Sequence, residues 1–192
     1  PRIALIDPEL TYSMPPSVTA STGLDALTQV IEPFLSIRRN AMVDAFCREG
    51  MTRGARSLFR AYQNGDDAEA RNDMSLTSMM GGLALANAGL GAVHGFAGPL
   101  GGMFPAPHGA TCASLLPHVM RVNLSALENK GDAGDLIALF DEVACILTGD
   151  PRARAIEGIE WLSALCTKME IPGLGTYGLT EEDFPDLVEK AS

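Results

Sequence analysis

Residues 91–109 read GAVHGFAGPLGGMFPAPHG, and they place two of the chain's three histidines, His94 and His108, in a run of glycine and proline. Glycine lets backbones approach closely and tolerates tight turns, so we predict a turn-rich segment between two helices. Two imidazoles in such a segment indicate either a site that holds something small, such as a metal ion, or histidines held by structural hydrogen bonds. On this stretch alone, both interpretations stay open.

The composition of the chain limits what it can be. Its 192 residues are 46% hydrophobic and 20% charged, which is typical of one ordered globular domain. A formal net charge of −10 argues against a broad nucleic-acid surface and against an anionic membrane as partner. The four cysteines are widely spaced with no CxxC pair, which favours free thiols in a reducing cytoplasm over a disulfide framework. No signal peptide and no apolar run long enough to span a membrane is found.

Both ends of the sequence indicate a domain cut from a longer protein. The chain begins with Pro1, directly ahead of the apolar run IALI at residues 3–6, which predicts a short strand closed by the turn signal at residues 7–8. It stops at Ser192 inside LTEEDFPDLVEKAS, which has the pattern of a helix in progress. We therefore predict one domain over residues 1–192, truncated at both ends.

Helical spacing of apolar residues dominates the rest of the chain. The first such run carries Leu24, Leu27 and Ile31, and we expect its helix to begin near Thr22 and to end or kink at Pro33. Further helices are predicted at residues 41–62 (capped by Asn40), 67–87, 110–123, 135–148, 151–169 (with Asp150 as cap) and 180–191. The predicted fold is an all-α multi-helix bundle with one short N-terminal strand.

Asp25 is a carboxylate inside the apolar helical segment STGLDALTQVIE, on the same face as Gln29. A buried carboxylate needs an arginine, a backbone cap or a metal as partner, although a place in the first helical turn would also explain it. Asp25, His94 and His108 together form a donor set that suits a catalytic Fe²⁺ or Zn²⁺ ion with an open position. The remaining histidine, His118 in LLPHVM, is interpreted as a packing residue of an apolar helix.

Two segments carry a family resemblance. They read IALIDPELTYSMPPSVTASTGLDALTQVIEPFLS (residues 3–36) and NAGLGAVHGFAGPLGGMFPAPHGATCASLLPHVMRVN (residues 87–123). The order DPxL, PPSVTA, TGxDALT, GAVH, PLGG, PHG, LLPHV resembles the C-terminal helical, metal-binding domain of the iron-containing (group III) alcohol dehydrogenases, within the dehydroquinate synthase-like superfamily. The resemblance implies a two-domain α/β plus α protein, whose N-terminal nucleotide-binding domain is absent from this sequence.

The resemblance also implies a function and a set of site residues. It implies the NAD- or NADP-dependent oxidation of a small alcohol, or the reverse reduction of an aldehyde or ketone, with Asp25, His94 and His108 as metal ligands. Asp7 and Leu10 match positions near the domain hinge and are expected to contact the edge of the nucleotide cofactor. No catalytic proton-transfer residue is predicted, the isolated domain is expected to be inactive, and homo-oligomerisation stays open.

Two positions depart from the family pattern. Gln29 stands where the family commonly has a histidine after DALT, and Gly98 stands where many members have a further histidine. The first change replaces a good metal ligand by a weak, uncharged amide donor, and the second removes a potential proton-transfer group and opens space. Three alternatives therefore stay beside the alcohol dehydrogenase: a maleylacetate reductase-like enzyme, a dehydroquinate synthase-like enzyme, and a non-catalytic descendant with a decayed metal site.

Overall fold

The structure, a computed structural model, describes residues 3–131 and 133–191. Within these ranges the chain forms eight α-helices, three short 3-10 helices and no β-strand. The α-helices are α1 (Pro16–Phe34), α2 (Ala41–Gln63), α3 (Ala68–Ala88), α4 (Ala92–Met103), α5 (His108–Lys130), α6 (Gly134–Thr148), α7 (Ala155–Lys168) and α8 (Phe184–Ala191). The predicted truncation at Pro1 and Ser192 concerns residues outside these ranges.

The predicted N-terminal strand is wrong. Residues 3–6 have no regular secondary structure, and the side chains of Ile3 and Leu5 are almost fully exposed. A strand requires a neighbouring strand to pair its backbone N–H and C=O groups, and the regular elements described here are all helical. The turn predicted at residues 7–8 is present, because the Asp7 carboxylate accepts the Glu9 N–H and begins the 3-10 helix Pro8–Thr11.

The start of α2 follows from its capping residue, as predicted. The Asn40 side chain accepts the backbone N–H groups of Met42 and Val43, each at 3.1 Å. In the same way, Asp67 accepts the Ala70 N–H at the start of α3. These side chains pair donors that the first turn of a helix leaves without partners, so they fix where each helix begins.

Helix α1 begins at Pro16, six residues before the predicted start at Thr22. Proline fits the first helical turn because the N–H group that it lacks would have no partner there. The helix ends at Phe34, directly after Pro33, as expected. Asp25 therefore lies in the third turn of α1, and a favourable position in the first turn does not explain its presence.

The core is organised around α1, which packs against α2, α3 and α5. One face of α1 is completely buried, and burying each of its large apolar side chains contributes about 1.5–3 kcal/mol. These core residues are Leu24, Leu27, Val30, Ile31 and Phe34. Helices α6 and α7 pack on each other, with α6 also against α2 and α7 against α5.

A buried carboxylate joins α2 and α3. Asp73 of α3 is only 1% exposed, and its oxygens accept hydrogen bonds from Arg53 at 2.8 Å and from Arg56 at 2.7 and 2.9 Å. The Ser57 hydroxyl also donates to it. Burial raises the pKa of Asp73, but the hydrogen bonds from Arg56, Ser57 and Arg53 outweigh burial and leave the pKa below its ordinary value. We call these four residues the Asp73 cluster.

Most of the stretch at residues 91–109 is helical, contrary to the turn-rich segment that we predicted. Residues 92–103 form α4, and His108 opens α5. Val93, Ala97 and Leu100 recur at helical spacing on the buried face of α4, which packs against α5 and α8. This packing outweighs the low helix propensity of the glycines in between.

Two further boundaries differ from the prediction. Helix α5 continues through Pro117 as far as Lys130, well beyond the predicted end at residue 123. Helix α7 begins at Ala155 rather than at residue 151, because the Asp150 carboxylate accepts the Arg152 N–H in a turn instead of capping the helix. The predicted cap at Asp150 and the predicted end of α5 at residue 123 are therefore both wrong.

No single helix in the described ranges is long and apolar enough to cross a membrane. Helices α3 and α4 pass the same test of length and composition only when taken together, and they are bent by 102° where they meet.

Candidate metal centre

Helix α1 presents three polar side chains on one face, beside its buried apolar face. Asp25, Gln29 and Glu32 follow one another at spacings of four and three residues, which places them one above the other. The Gln29 Nε2 atom donates to Asp25 Oδ2 at 3.1 Å. An amide oxygen in that place would repel the carboxylate, so Gln29 orients Asp25 through its nitrogen.

His94, in the first turn of α4, lies between two of these carboxylates. Its Nε2 atom is 3.2 Å from Asp25 Oδ1, and its Nδ1 atom is 2.7 Å from Glu32 Oε2. The other oxygen of Glu32 accepts the backbone N–H of Val93 at 2.8 Å. Glu32 therefore fixes both the beginning of α4 and the orientation of the His94 ring.

Two glycines allow the three helices to meet. A Cβ atom on Gly91 would lie 2.7 Å from Glu32 Oε1, and a Cβ atom on Gly109 would lie 2.4 Å from the backbone oxygen of Ser21 in α1. Both distances are too short for a side chain. The contact at Gly109 brings the start of α5 against α1, where His108 Nε2 lies 3.9 Å from Asp25 Oδ1.

A thiol completes the cluster. Cys112 lies one helical turn after His108 and is fully buried, with its Sγ atom 3.6 Å from His108 Nε2. Ligand atoms from Asp25, His94, His108 and Cys112 all lie within 4.8 Å of one another, and the two imidazole rings are 5.4 Å apart, tilted by 51°. We call these four residues the donor cluster. The fold thus brings the three sequence-predicted residues together and adds a fourth.

The sequence contained signals for both residues that our prediction missed. Glu32 lies seven residues after Asp25, hence on the same helical face, and it is a charged residue in an otherwise apolar run. Cys112 lies four residues after His108 in HGATC, so that a helix beginning at His108 places them on one face. The predicted helix begins only at residue 110 and leaves His108 outside, so the sequence prediction did not place His108 and Cys112 on one helical face.

The donor cluster holds a proton tightly. Burial favours the neutral His94 ring, but hydrogen bonds to Asp25, Cys112 and Glu32 outweigh burial and raise the pKa of His94 to about 11. Burial, assisted by the charge of Asp25, raises the pKa of the Cys112 thiol, and His94 opposes that change. The environment therefore favours a positive charge at its centre, which a divalent cation would supply by displacing protons.

One side of the donor cluster is accessible. The side chain of His108 is 52% exposed and that of Asp25 is 18% exposed, whereas Cys112 lies behind them. Gly98, one turn after His94 on α4, is also exposed, and a Cβ atom there would meet nothing within 4 Å. The open space that we expected at Gly98 is therefore present.

Our interpretation of His118 as a packing residue is wrong, because the His118 side chain is exposed and lines an apolar cavity of about 710 Å³.

Asp7 and Leu10, the residues expected to contact the nucleotide, do not join the donor cluster. Both are exposed, and both line a separate cavity of about 440 Å³ together with residues of α1 and α3. Their contact with NAD or NADP stays a prediction.

Comparison with known proteins identifies the family. The family described as "Fe-containing alcohol dehydrogenase family, C-terminal" matches residues 19–192. The chain belongs to this family. Over 192 residues it is 38% identical to alcohol dehydrogenase 4 of Saccharomyces cerevisiae, covering all of this chain and 48% of the yeast protein. The predicted family and the predicted all-α fold are confirmed.

Two further relatives extend the comparison within this family of iron-containing dehydrogenases. The chain is 38% identical over 193 residues to 1,3-propanediol dehydrogenase of Klebsiella pneumoniae, covering all of this chain and 49% of that protein. The solved structure of alcohol dehydrogenase from Oenococcus oeni superposes with a TM-score of 0.86 at 35% identity, covering 96% of this chain and 48% of that one. The chain thus spans about half the length of the relatives it matches.

Proposed function

We propose that the protein containing this chain is a metal-dependent, NAD(P)-linked alcohol dehydrogenase that also reduces aldehydes or ketones. This chain would supply the metal- and substrate-side half. The observation that carries the proposal is the meeting of Asp25 with His94 and His108, which come from three different helices. Membership of the iron-containing alcohol dehydrogenase family, whose substrates are small alcohols and aldehydes, supports the substrate class.

The residues present fit a divalent metal ion. A carboxylate oxygen and two imidazole nitrogens within 4.8 Å of one another form a donor set suited to Fe²⁺ or Zn²⁺. Asp25, His94 and His108 would hold the ion. When bound, it would supply Lewis-acid chemistry that polarises the oxygen of the alcohol or carbonyl group.

The chain's own residues would prepare this site before the metal arrives. Glu32 accepts the Nδ1–H of His94, so Nε2 is the ring nitrogen that faces the donor cluster and would bind the ion once the ion displaces its proton. Gln29 holds the Asp25 carboxylate in place. The exposed side at His108 and Gly98 would admit a small substrate. We propose that hydride passes to or from a nicotinamide held mainly outside this chain, with Asp7 and Leu10 at its edge.

The charge around the site favours an uncharged substrate over an anionic one. A dehydroquinate synthase-like or maleylacetate reductase-like enzyme needs cationic side chains in its active site to hold the substrate's carboxylate groups. In the described part of the chain, no lysine or arginine forms an ion pair or hydrogen bond with the donor cluster, Gln29 or Glu32. A small alcohol, aldehyde or ketone is therefore the substrate that we propose.

A cytoplasmic location remains a prediction from the cysteine usage.

The experiment is metal analysis and assay of the full-length protein in which this sequence occurs. We expect one Fe²⁺ or Zn²⁺ per chain, and reduction of NAD or NADP with ethanol or 1,3-propanediol that is lost on chelation and restored by the metal. Changing a partner of a ligand costs about 10–100-fold in metal affinity, so removing a ligand, as in Asp25→Ala or His108→Ala, should cost more than about 100-fold.

His118→Ala is the matched control, because His118 is an exposed histidine of the same helix outside the donor cluster. It should retain both metal and activity. A full-length protein that is folded, binds no divalent metal and transfers no hydride would contradict the proposal and favour the non-catalytic descendant.

A further inference from the structure

We propose that Cys112 is a fourth protein ligand of the metal centre, and that its thiolate makes the site selective for zinc over iron(II). This inference rests on the proposed function, because it concerns the same ion. It also accounts for Gln29, which stands where the family pattern has a metal-binding histidine. In this chain the fourth ligand would come from α5 rather than from α1.

The distances within the donor cluster agree with tetrahedral coordination. Zinc bonds of about 2.0–2.1 Å to nitrogen or oxygen and about 2.3 Å to sulfur place tetrahedral ligand atoms about 3.3–3.6 Å apart. The structure has 3.2 Å between Asp25 Oδ1 and His94 Nε2, and 3.6 Å between His108 Nε2 and Cys112 Sγ. A third separation, from Asp25 Oδ1 to His108 Nε2, is 3.9 Å, and all four ligand atoms lie within 4.8 Å of one another. No large movement of any helix is needed to place one ion among them.

The other nearby polar groups are already engaged. Gln29 directs its amide nitrogen, which cannot bind a cation, at Asp25. Glu32 uses one oxygen for the Val93 N–H and the other for His94 Nδ1. Of the described cysteines and carboxylates around His108, Cys112 is the one whose ligand atom joins Asp25 and both imidazoles.

Simple packing does not explain where the Cys112 sulfur lies. Buried cysteines usually behave as small apolar residues. Two other thiols in this chain, Cys145 and Cys166, lie 3.4 Å from the backbone oxygens of Ala153 and Ala113, respectively. The sulfur of Cys112 instead lies beside the imidazole nitrogen of His108, among the other donors. That placement gives the thiol a ligand's surroundings.

A thiolate ligand changes which metal the site prefers. Soft sulfur donors favour zinc over harder cations, whereas sets of carboxylate and imidazole donors accept iron(II) readily. With Cys112 included, the donor cluster offers one carboxylate, two imidazoles and one thiolate. The exposed side at His108 leaves room for a fifth group, as zinc sites permit during catalysis.

The test is cobalt substitution of the full-length protein, because Co²⁺ mimics zinc and reports sulfur ligands in its absorption spectrum. The metal-free protein should bind one Co²⁺ and show an intense near-ultraviolet sulfur-to-cobalt charge-transfer band. In Cys112→Ser this band should disappear, and zinc affinity should fall at least about 100-fold while iron(II) affinity changes less than about 10-fold.

Cys47→Ala is the matched control, since Cys47 is equally buried but lies on α2 outside the donor cluster. It should keep both the band and the zinc affinity. Stoichiometric cobalt binding without a charge-transfer band, or a band that survives in Cys112→Ser, would overturn ligation by Cys112 and leave the proposed function standing. A folded protein that binds no cobalt, zinc or iron would overturn both.

Discussion

Two carboxylates lie at helix junctions in this domain, and they have opposite surroundings. Asp73, between α2 and α3, is bonded to Arg53, Arg56 and Ser57. Asp25, where α1 meets α4 and α5, is bonded to His94 and Gln29. The first carboxylate has permanently charged partners, and the second has a partner that can lose a proton.

This difference separates a structural cluster from the one that we propose binds a metal. Arginine cannot give up its proton in a protein, so Asp73 keeps its positively charged partners, and these partners offer no donor atom to a metal ion. Imidazole and thiol groups bind metals once they are deprotonated, so the donor cluster can exchange protons for a cation. Residue type around the carboxylate, rather than burial alone, therefore indicates which junction carries chemistry.

The largest effect on stability should come from breaking the structural cluster. We expect Asp73→Asn to lower the free energy of unfolding by about 3 kcal/mol, at the low end for a broken buried ion pair, because the arginines can reach water. Urea denaturation measures this loss. Metal stoichiometry of the folded variant should not change, and a variant that loses metal while staying stable would contradict the separation of the two clusters.

The same cluster sets the response to acid. A lowered pKa of Asp73 means that its stabilisation is complete above the ordinary value of 3.8 and is lost as the pH falls through the folded-state value. Wild-type stability should therefore fall below about pH 4 more steeply than that of Asp73→Asn. Parallel denaturation curves for the two proteins in this range would contradict the assignment.

The next effect should be on metal binding, through Glu32. In Glu32→Gln the amide can present an N–H to His94 Nδ1, which moves the imidazole proton to Nε2, the atom that faces the donor cluster. Zinc affinity, measured by competition with a chelator, should fall about 10–100-fold. Asp44→Asn is the control, because Asp44 is equally buried but pairs with Arg39. Equal zinc affinity in both variants would show that Glu32 does not position His94.

The smallest effects should come from two glycines in the same stretch. Gly109→Ala would place a Cβ atom 2.4 Å from a backbone oxygen of α1, so α5 must shift, and we expect a loss of about 1–3 kcal/mol with weaker zinc binding. Gly98→Ala meets nothing within 4 Å inside α4 and should stabilise the protein by about 0.5–1 kcal/mol. Thermal unfolding and zinc titration of both variants measure the contrast. Equal losses in the two would mean that close approach at Gly109 does not assemble the site.

The sequence was most informative where a single side chain determines a local structure. Asn40 set the start of α2, and the spacing of Leu24, Leu27 and Ile31 identified the buried face of α1. The residues at 3–6 misled, because an apolar β-like run forms no strand without a partner. The prediction of a turn-rich segment at residues 91–109 was also wrong, because packing against α5 and α8 makes most of this glycine-rich segment helical.

The donor cluster could be predicted only in part. The residue types of Asp25, His94 and His108 indicate metal binding wherever they meet, and the family resemblance indicated that they do meet. Cys112 and Glu32 depended on the exact start of α5 and on the register of α1, which propensity and pattern do not fix to within one turn. The approach of α5 to α1 at Gly109 is a tertiary contact, and no local signal encodes it.

Helix α1 contributes both to the candidate metal centre and to the hydrophobic core. Its polar face carries Asp25, Gln29 and Glu32, and the adjoining face carries the buried core. A helix is stiff, so any rotation or slide that loosens the packing of Leu27 or Ile31 must also displace all three polar groups together. Metal affinity should therefore decrease whenever the packing of the core around α1 is loosened. A core substitution far from the ion can then weaken metal binding because it changes the position of helix α1.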